Sequence, residues 1–365
     1  MKRSRIWSGV AVVAAAALAA GCSTPTADGG SGSASGGASG DTASTSEGPW
    51  TIGVSNAFVG SEYRTQMIED IQTVFDEYKQ QGLVDDLILE NADADANGQI
   101  QQIRNLINKG VDVIIVDPNS STALTAVFKE ATDQGIKVYA IDQAVESELV
   151  TNIGIDQQEL GKVSAEWFAE QVGDGAEIAA VQGTAGNPAT EARWAGAKAV
   201  FDAHSIKVVA SADGGWDQAT GQTVATDLLA TYPNIKGIWT YDGMAQGVLR
   251  AVEAAGKTTD LVVSGEARVG FMRMWNDLKA DGFSSAGVLN PPGPGATALR
   301  FAINELQGKT LDPSKVTDGH TVYLPLDPTI TNDNFDAEWA KVQDKDDTYV
   351  LDSVLTADQV AEYFQ

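Results

Sequence analysis

The chain has 365 residues, with 24 Lys and Arg against 50 Asp and Glu, a formal charge of −26, one cysteine and two histidines. At about 100–200 residues per domain this length holds two or three domains with ample core. The acid excess repels phosphate backbones and excludes nucleic acid as a partner, while a single cysteine closes no intrachain disulfide and builds no zinc site on its own.

Lys2, Arg3 and Arg5 precede an apolar run over 6–20. The run is shorter and richer in Ala than a span of about 20 strongly apolar residues. A basic head, an apolar middle and a small-residue end read as an export signal over 1–21. Its end, Leu18-Ala19-Ala20-Gly21-Cys22, resembles the bacterial lipoprotein signal. That resemblance implies cleavage before Cys22, a diacylglycerol on its thiol and an extracytoplasmic protein anchored to the cell membrane. Two acyl chains anchor stably where one is marginal. Residues 22–49 are mostly Gly, Ser, Thr and Ala and read as a flexible tether.

From Trp50 onward β-rich runs alternate with helical ones. Strands are predicted at 50–55, 87–90, 111–116, 137–141 and 151–155, with helices near 61–81, 97–109 and 121–134. Further strands fall near 176–182, 206–211, 236–240, 260–264 and 284–289. Helices near 157–171, 189–203, 217–230, 243–255, 268–279 and 295–307 lie between or after them. Gly82, Gly110, Gly135 and Gly256 stand where helices should stop. The alternation implies an α/β fold of parallel sheets with right-handed crossovers. About ten strands are many for one open sheet, so two doubly wound, Rossmann-like lobes are expected.

Ligands of such sheets bind beyond the carboxyl ends of the strands. Those positions carry Asn56, Phe58, Tyr63 and Arg64, then Asp117 and Asn119, then Asp142 and Gln143. The second half supplies Asn187, Arg193, Trp216, Asp217, Tyr241, Asp242, Glu266 and Asn290. Carboxylates, amides and arginine forks suit hydroxyl groups, and aromatic rings cover the C–H faces of a sugar or polyol. A plainer reading makes Asp117, Asn119, Asp156 and Asp217 caps of the following helices, and Phe58 and Tyr241 core.

The stretch Gln182-Gly183-Thr184-Ala185-Gly186-Asn187-Pro188-Ala189-Thr190-Glu191-Ala192-Arg193 resembles the galactose/glucose- and ribose-binding proteins of bacterial sugar ABC importers. So do Gly215-Trp216-Asp217-Gln218-Ala219, Tyr241-Asp242-Gly243-Met244-Ala245 and Ile155-Asp156-Gln157-Gln158-Glu159-Leu160-Gly161. The resemblance runs from about 50 to about 330 and implies a type I periplasmic binding fold whose lobes close on ligand about a three-segment hinge. It places the first lobe at 50–155 plus 290–326 and the second at 156–289 plus the tail, 327–365. By resemblance Arg193 forks onto sugar hydroxyls, Asn187 and Asp142 are polar contacts, Trp216 stacks on the ring, Asn290 is a hinge amide and Tyr63-Arg64 is an aromatic–arginine pair. Gln143 stands where several relatives have arginine, Tyr241 where they have asparagine, and Gly265-Glu266 where they have an aromatic or apolar residue followed by Asp. These departures leave a small sugar, a deoxysugar, a sugar alcohol and a cyclic polyol open. The implied partners are a membrane permease and a separate ATPase subunit, with the binding protein monomeric and using no cofactor.

Two motifs look like other chemistry. Ala251 to Thr258 fits a relaxed P-loop, but its Gly256 ends a helix instead of opening one, so its amides cannot cradle phosphate. Asp93-Ala94-Asp95-Ala96-Asn97-Gly98 starts like a calcium loop, yet Arg104 stands where the bidentate Glu belongs. His204 and His320 sit in no motif, and no metal site is expected. Three other functions compete: a sensor subunit presenting ligand to a receptor kinase, a carbohydrate-active enzyme using Asp142 and Glu266, and a repressor. The last would need a DNA-binding helix-turn-helix in place of the signal and tether.

Overall fold

The computed structural model describes residues 48–365; the expected export signal, Cys22 and most of the expected tether lie outside the described residues. Among the described residues no helix is long and apolar enough to cross a membrane.

The first lobe is built on six parallel strands: β1 (Trp50–Asn56), β2 (Val84–Asn91), β3 (Val113–Asp117), β4 (Lys137–Ile141), β5 (Thr151–Gly154) and β12 (Thr321–Tyr323). Their order is β12-β5-β4-β3-β1-β2. Helices α1 (Glu62–Gln80), α2 (Ala96–Lys109), α3 (Thr125–Thr132) and α9 (Pro294–Leu306) cover the two faces. The central strand β3 shows why. All five of its residues are buried, with Val113 and Ile115 in one apolar cluster and Ile114 and Val116 in another. Alternate side chains enter opposite layers, so an unbroken apolar run is a strand covered on both sides. Asp95 caps α2 by accepting from Gly98 N at 2.8 Å, and Gly110, at φ 72°, closes it. The calcium-like motif is thus a helix cap.

The second lobe holds β6 (Glu177–Gln182), β7 (Lys207–Asp213), β8 (Gly237–Trp239) and β9 (Val262–Val263) in the order β7-β6-β8-β9. A separate parallel pair, β10 (Gly265–Glu266) and β11 (Gly287–Val288), follows. Helices α4 (Gln157–Val172), α5 (Pro188–Ala203), α6 (Gln218–Thr231), α7 (Met244–Ala254) and α8 (Val269–Leu278) pack around them. Five continuous strands were expected here. Ser264 interrupts the last of the main sheet: its hydroxyl accepts from Thr240 N and donates to Thr240 O, both at 2.7 Å, taking the place of a backbone partner. Gly256 follows α7, so the P-loop-like motif lies at a helix C-terminus.

Helices α4 and α5 touch almost backbone to backbone. A Cβ on Gly161 would fall 2.1 Å from Arg193 O, and one on Gly196 would fall 2.0 Å from Gln158 O. This close approach sets the start of α4 beside Arg193.

The chain passes between the lobes after Ile155, near Asn290, between Leu324 and Ile330, and once more in the tail. The resemblance places residues 327–365 as a whole with the second lobe, and 350–364 read as a strand and helix packing back. They divide instead. Ile330, Phe335, Trp339 and Leu351 pack with the second lobe, the first two flanking the start of α10 (Phe335–Val342). Val354, Leu355, Val360 and Phe364 pack with the first, around the short α11 (Ala357–Ala361). Tyr363 and Phe364 set their rings 5.2 and 5.4 Å from that of Phe301 on α9. The tail contributes isolated antiparallel bridges, Ile330 to Gly287, Val350 to Arg268 and Phe364 to Leu311. At the tail crossing, Gln66 on α1 both donates to Val350 O and accepts from Val350 N, each at 2.9 Å.

Candidate functional site

Strand ends from both sheets line a cavity of about 290 Å³ between the lobes. That is the small end of the roughly 300–1,000 Å³ range of small-molecule pockets, room for one ring. Among the described residues, three of the five non-glycine residues with positive φ, Asp142 (61°), Trp216 (63°) and Asp242 (47°), lie on its wall. The left-handed backbone is costly for such residues and persists where the surroundings demand a particular side-chain direction.

The first-lobe wall is an ionic cluster. Arg64, on the first turn of α1, pairs with Asp117 at the end of β3 and lies 3.8 Å from Asp142. Its Nη1 also donates to Asn56 Oδ1 at 3.1 Å. The amide of Gln143, oriented by its neighbours, accepts from Arg64 Nη2 at 2.8 Å and donates to Pro118 O at 3.2 Å. Burial drives the Asp117 carboxyl well above the usual carboxylate range, against the pull of Arg64. Tyr63 OH donates toward Asp142 Oδ1 (3.1 Å) and Pro291 O (3.0 Å). Burial, with Asp142 and Asp117 adding to it, pushes its titration well upward, so it stays a neutral donor.

The second-lobe wall mixes rings with charge. Arg193, 1% exposed, pairs with Asp242 and donates through Nε to Gln157 Oε1 at 2.7 Å. Its guanidinium lies 4.9 Å from the Tyr241 ring centre and 5.5 Å from that of Trp216. Trp216 occupies space that only a glycine at 183 leaves free, since a Cβ there would fall 2.2 Å from the indole. Asn187 uses Oδ1 to cap α5, accepting from Ala189 N (3.0 Å) and Thr190 N (3.3 Å). Its Nδ2 lies 2.9 Å from the Gln143 amide of the other lobe. Farther along, Arg268 is held by Glu266 at 3.0 Å and pairs across the cleft with Glu62 on α1.

Of the strand-end residues named from the sequence, Phe58, Tyr63, Arg64, Asp142, Gln143, Asn187, Arg193, Trp216, Asp242 and Asn290 line the cavity. Tyr241 and Glu266 do not. Tyr241 is 1% exposed, its ring edge-on to Trp239 with centres 5.0 Å apart, and its hydroxyl accepts from Gly183 N at 3.1 Å. Burial lifts that hydroxyl to about 12. Glu266 lies behind Arg268, which takes the place on the wall; burial lifts Glu266 to about 7, against the attraction of Arg268. The carboxylate pair Asp142 and Glu266 therefore does not flank the cavity. Asp117 and Asn119 are on the wall and do not act as helix caps, whereas Asp156 and Asp217 do cap, accepting from Glu159 N (3.0 Å) and Thr220 N (2.7 Å). Arg268 escaped the sequence reading. Its signal was the extended two-residue step from Glu266, which puts both side chains on one side.

Two parallel α/β lobes that meet at a polar and aromatic cavity, with several chain crossings between them, define a two-lobed small-molecule binding protein. The family model described as "Periplasmic binding protein domain" matches residues 52–310. The D-allose-binding periplasmic protein of Escherichia coli (strain K12) is 30% identical over 280 residues, 71% of this chain and 89% of that protein. The solved ABC transporter solute binding protein of Thermobispora bispora DSM 43833 superposes with a TM-score of 0.76 at 24% identity, over 86% of this chain and 94% of that one. The binding protein of the arabinose ABC transporter of Shewanella sp. ANA-3, solved with L-arabinofuranose, gives 0.67 at 26% identity, over 80% and 95%. The chain belongs to the periplasmic binding protein family, and its fold is the type I form expected from the sequence.

Proposed function

We propose that the protein is the extracytoplasmic sugar-binding component of an ABC importer. It closes its lobes on one monosaccharide or sugar-like polyol and presents the closed form to a membrane permease, with ATP hydrolysis on a separate subunit. The observation that carries this reading is the convergence on one cavity of Arg64 and Asp142 from one lobe and Arg193 and Trp216 from the other. Forked donors, carboxylate acceptors and an indole face are the groups a hydroxylated ring needs. The relatives named for D-allose and L-arabinofuranose point the same way. Arg64, Arg193 and Arg268 each already face a carboxylate, which favours an uncharged ligand over a sugar phosphate. The signal-like segment over 1–21 with Cys22 directly after it supports a lipoprotein tethered to the membrane.

A thermal-shift panel tests the reading, because a ligand that binds only the folded state stabilises it. At 100 times Kd the gain is about 2.7 kcal/mol, a rise of about 3–5 °C for a protein of this size. At least one of D-allose, D-ribose, L-arabinose, D-galactose and myo-inositol should give such a rise, and ribose 5-phosphate none. A flat response to every neutral sugar and polyol, or a preference for the phosphate, contradicts the proposal.

A further inference from the structure

Gln157 does not line the cavity, yet it touches three residues that do. It is the first residue of α4, immediately after the first crossing between lobes, and its side chain is buried. Its Oε1 accepts from Arg193 Nε at 2.7 Å. Its Nε2 faces Asp142 O at 3.1 Å, Asp142 Oδ1 at 3.2 Å and Asn290 Oδ1 at 3.2 Å. Asn290 Nδ2 in turn approaches Asp142 Oδ1 at 3.5 Å. One amide thus joins the cation of the second-lobe wall, the carboxylate of the first-lobe wall and the amide of the second crossing.

The chemistry of the partners fixes the orientation of that amide. Arg193 can only donate, and a carboxylate can only accept. A group standing between them must therefore accept at one end and donate at the other. Turned the other way, Gln157 would face donor with donor and acceptor with acceptor. The close contact of α4 with α5 through Gly161 and Gly196 holds Arg193 against it.

We propose that Gln157 is a positioning residue that locks the two walls into one register, so that Arg193 and Asp142 address the same bound molecule. It acts through those residues and touches no ligand itself. The proposal rests on the sugar-binding reading for its affinity consequences, but the register it describes exists without ligand.

Gln157→Glu tests this, with Gln157→Leu as its companion. The glutamate keeps the acceptor toward Arg193 but sets an anion against Asp142 and Asn290 Oδ1. Protonation restores a donor on that side. The charged or titratable groups around the position are Asp142, with Arg64 and Tyr63 beyond it, and Arg193, with its partner Asp242 and the Tyr241 ring. Without ligand, the Tm of Gln157→Glu should lie close to wild type at pH 5 and fall behind it by about 4 °C or more at pH 8. Gln157→Leu should show a deficit that does not change with pH. Where D-allose or D-ribose binds the wild type, Gln157→Glu should lose about tenfold or more in affinity at pH 8 and recover part of it at pH 5. A Gln157→Glu variant as stable as wild type at pH 8, or one whose deficit is the same at both pH values, overturns the positioning role. Failure of every neutral sugar and polyol of the panel to bind the wild type counts against the sugar-binding reading alone, since the ligand-free pH comparison still decides the role of Gln157.

Discussion

The two walls of the cavity hold their arginines by different means. In the first lobe Arg64 is fixed by Asp117 and Asp142, with Asn56 and Gln143 completing its bonds. In the second, Arg193 is fixed by one carboxylate, one amide and two aromatic rings. The first arrangement balances charge with charge in a desolvated pocket. The second spreads the cation over π faces, which tolerate the loss of a charged partner better. The lobes are built alike, yet the first wall should answer to charge and pH and the second to shape.

The sharpest break between the walls comes from removing each arginine. Arg64→Leu leaves Asp117 and Asp142 buried without their cation, and breaking such a cluster costs about 3–5 kcal/mol. Arg193→Leu leaves one carboxylate beside rings that can close over the gap, so its cost should be smaller. Chemical denaturation at pH 7 measures both. The Arg64→Leu deficit should shrink as pH falls, because a carboxyl whose folded pKa is raised destabilises only above its unfolded pKa and ceases to do so once protonated. Equal deficits, or a deficit in Arg64→Leu that grows in acid, would erase the distinction.

A smaller effect sharpens the comparison inside the second lobe, where Glu266 is the one carboxylate that follows the first-lobe rule. Its folded value of about 7 lies above the ordinary 4.5. The folded state therefore binds the extra proton between those values, and stability declines as pH rises from about 4.5 to about 7, by up to on the order of 3 kcal/mol. Glu266→Gln keeps an acceptor for Arg268 and removes the titration. The difference in stability between variant and wild type should widen in the variant's favour over that interval. A pH-independent difference would show that Glu266 is ionised throughout.

Much of this was legible in the chain. Alternating β and α runs dictate parallel sheets, and parallel sheets gather their carboxyl ends. Strand-end residues such as Asp142, Arg193 and Trp216 could therefore be placed on the wall without coordinates. What stayed hidden depends on direction. Tyr241 and Asp242 are neighbours, but Tyr241 continues the strand's alternation into the core beside Trp239, while Asp242 turns outward through a positive φ. Gln157 read as part of a motif, and only the Gly161 and Gly196 contact shows why it meets Arg193. The strand Thr321–Tyr323 is too short for periodicity to show. The tail's apolar residues declare that they are buried, and not against which lobe, so the return of Val354 and Phe364 to the first lobe could not be read from pattern.

The central claim is that both walls grip one molecule. Titration calorimetry with the sugar that gives the largest thermal shift measures this directly, on wild type and on one variant from each wall, Arg64→Leu and Trp216→Ala. The account predicts one site per chain and a loss of about tenfold or more in affinity from either change. Wild-type affinity in either folded variant would place the sugar against one lobe alone and contradict the account.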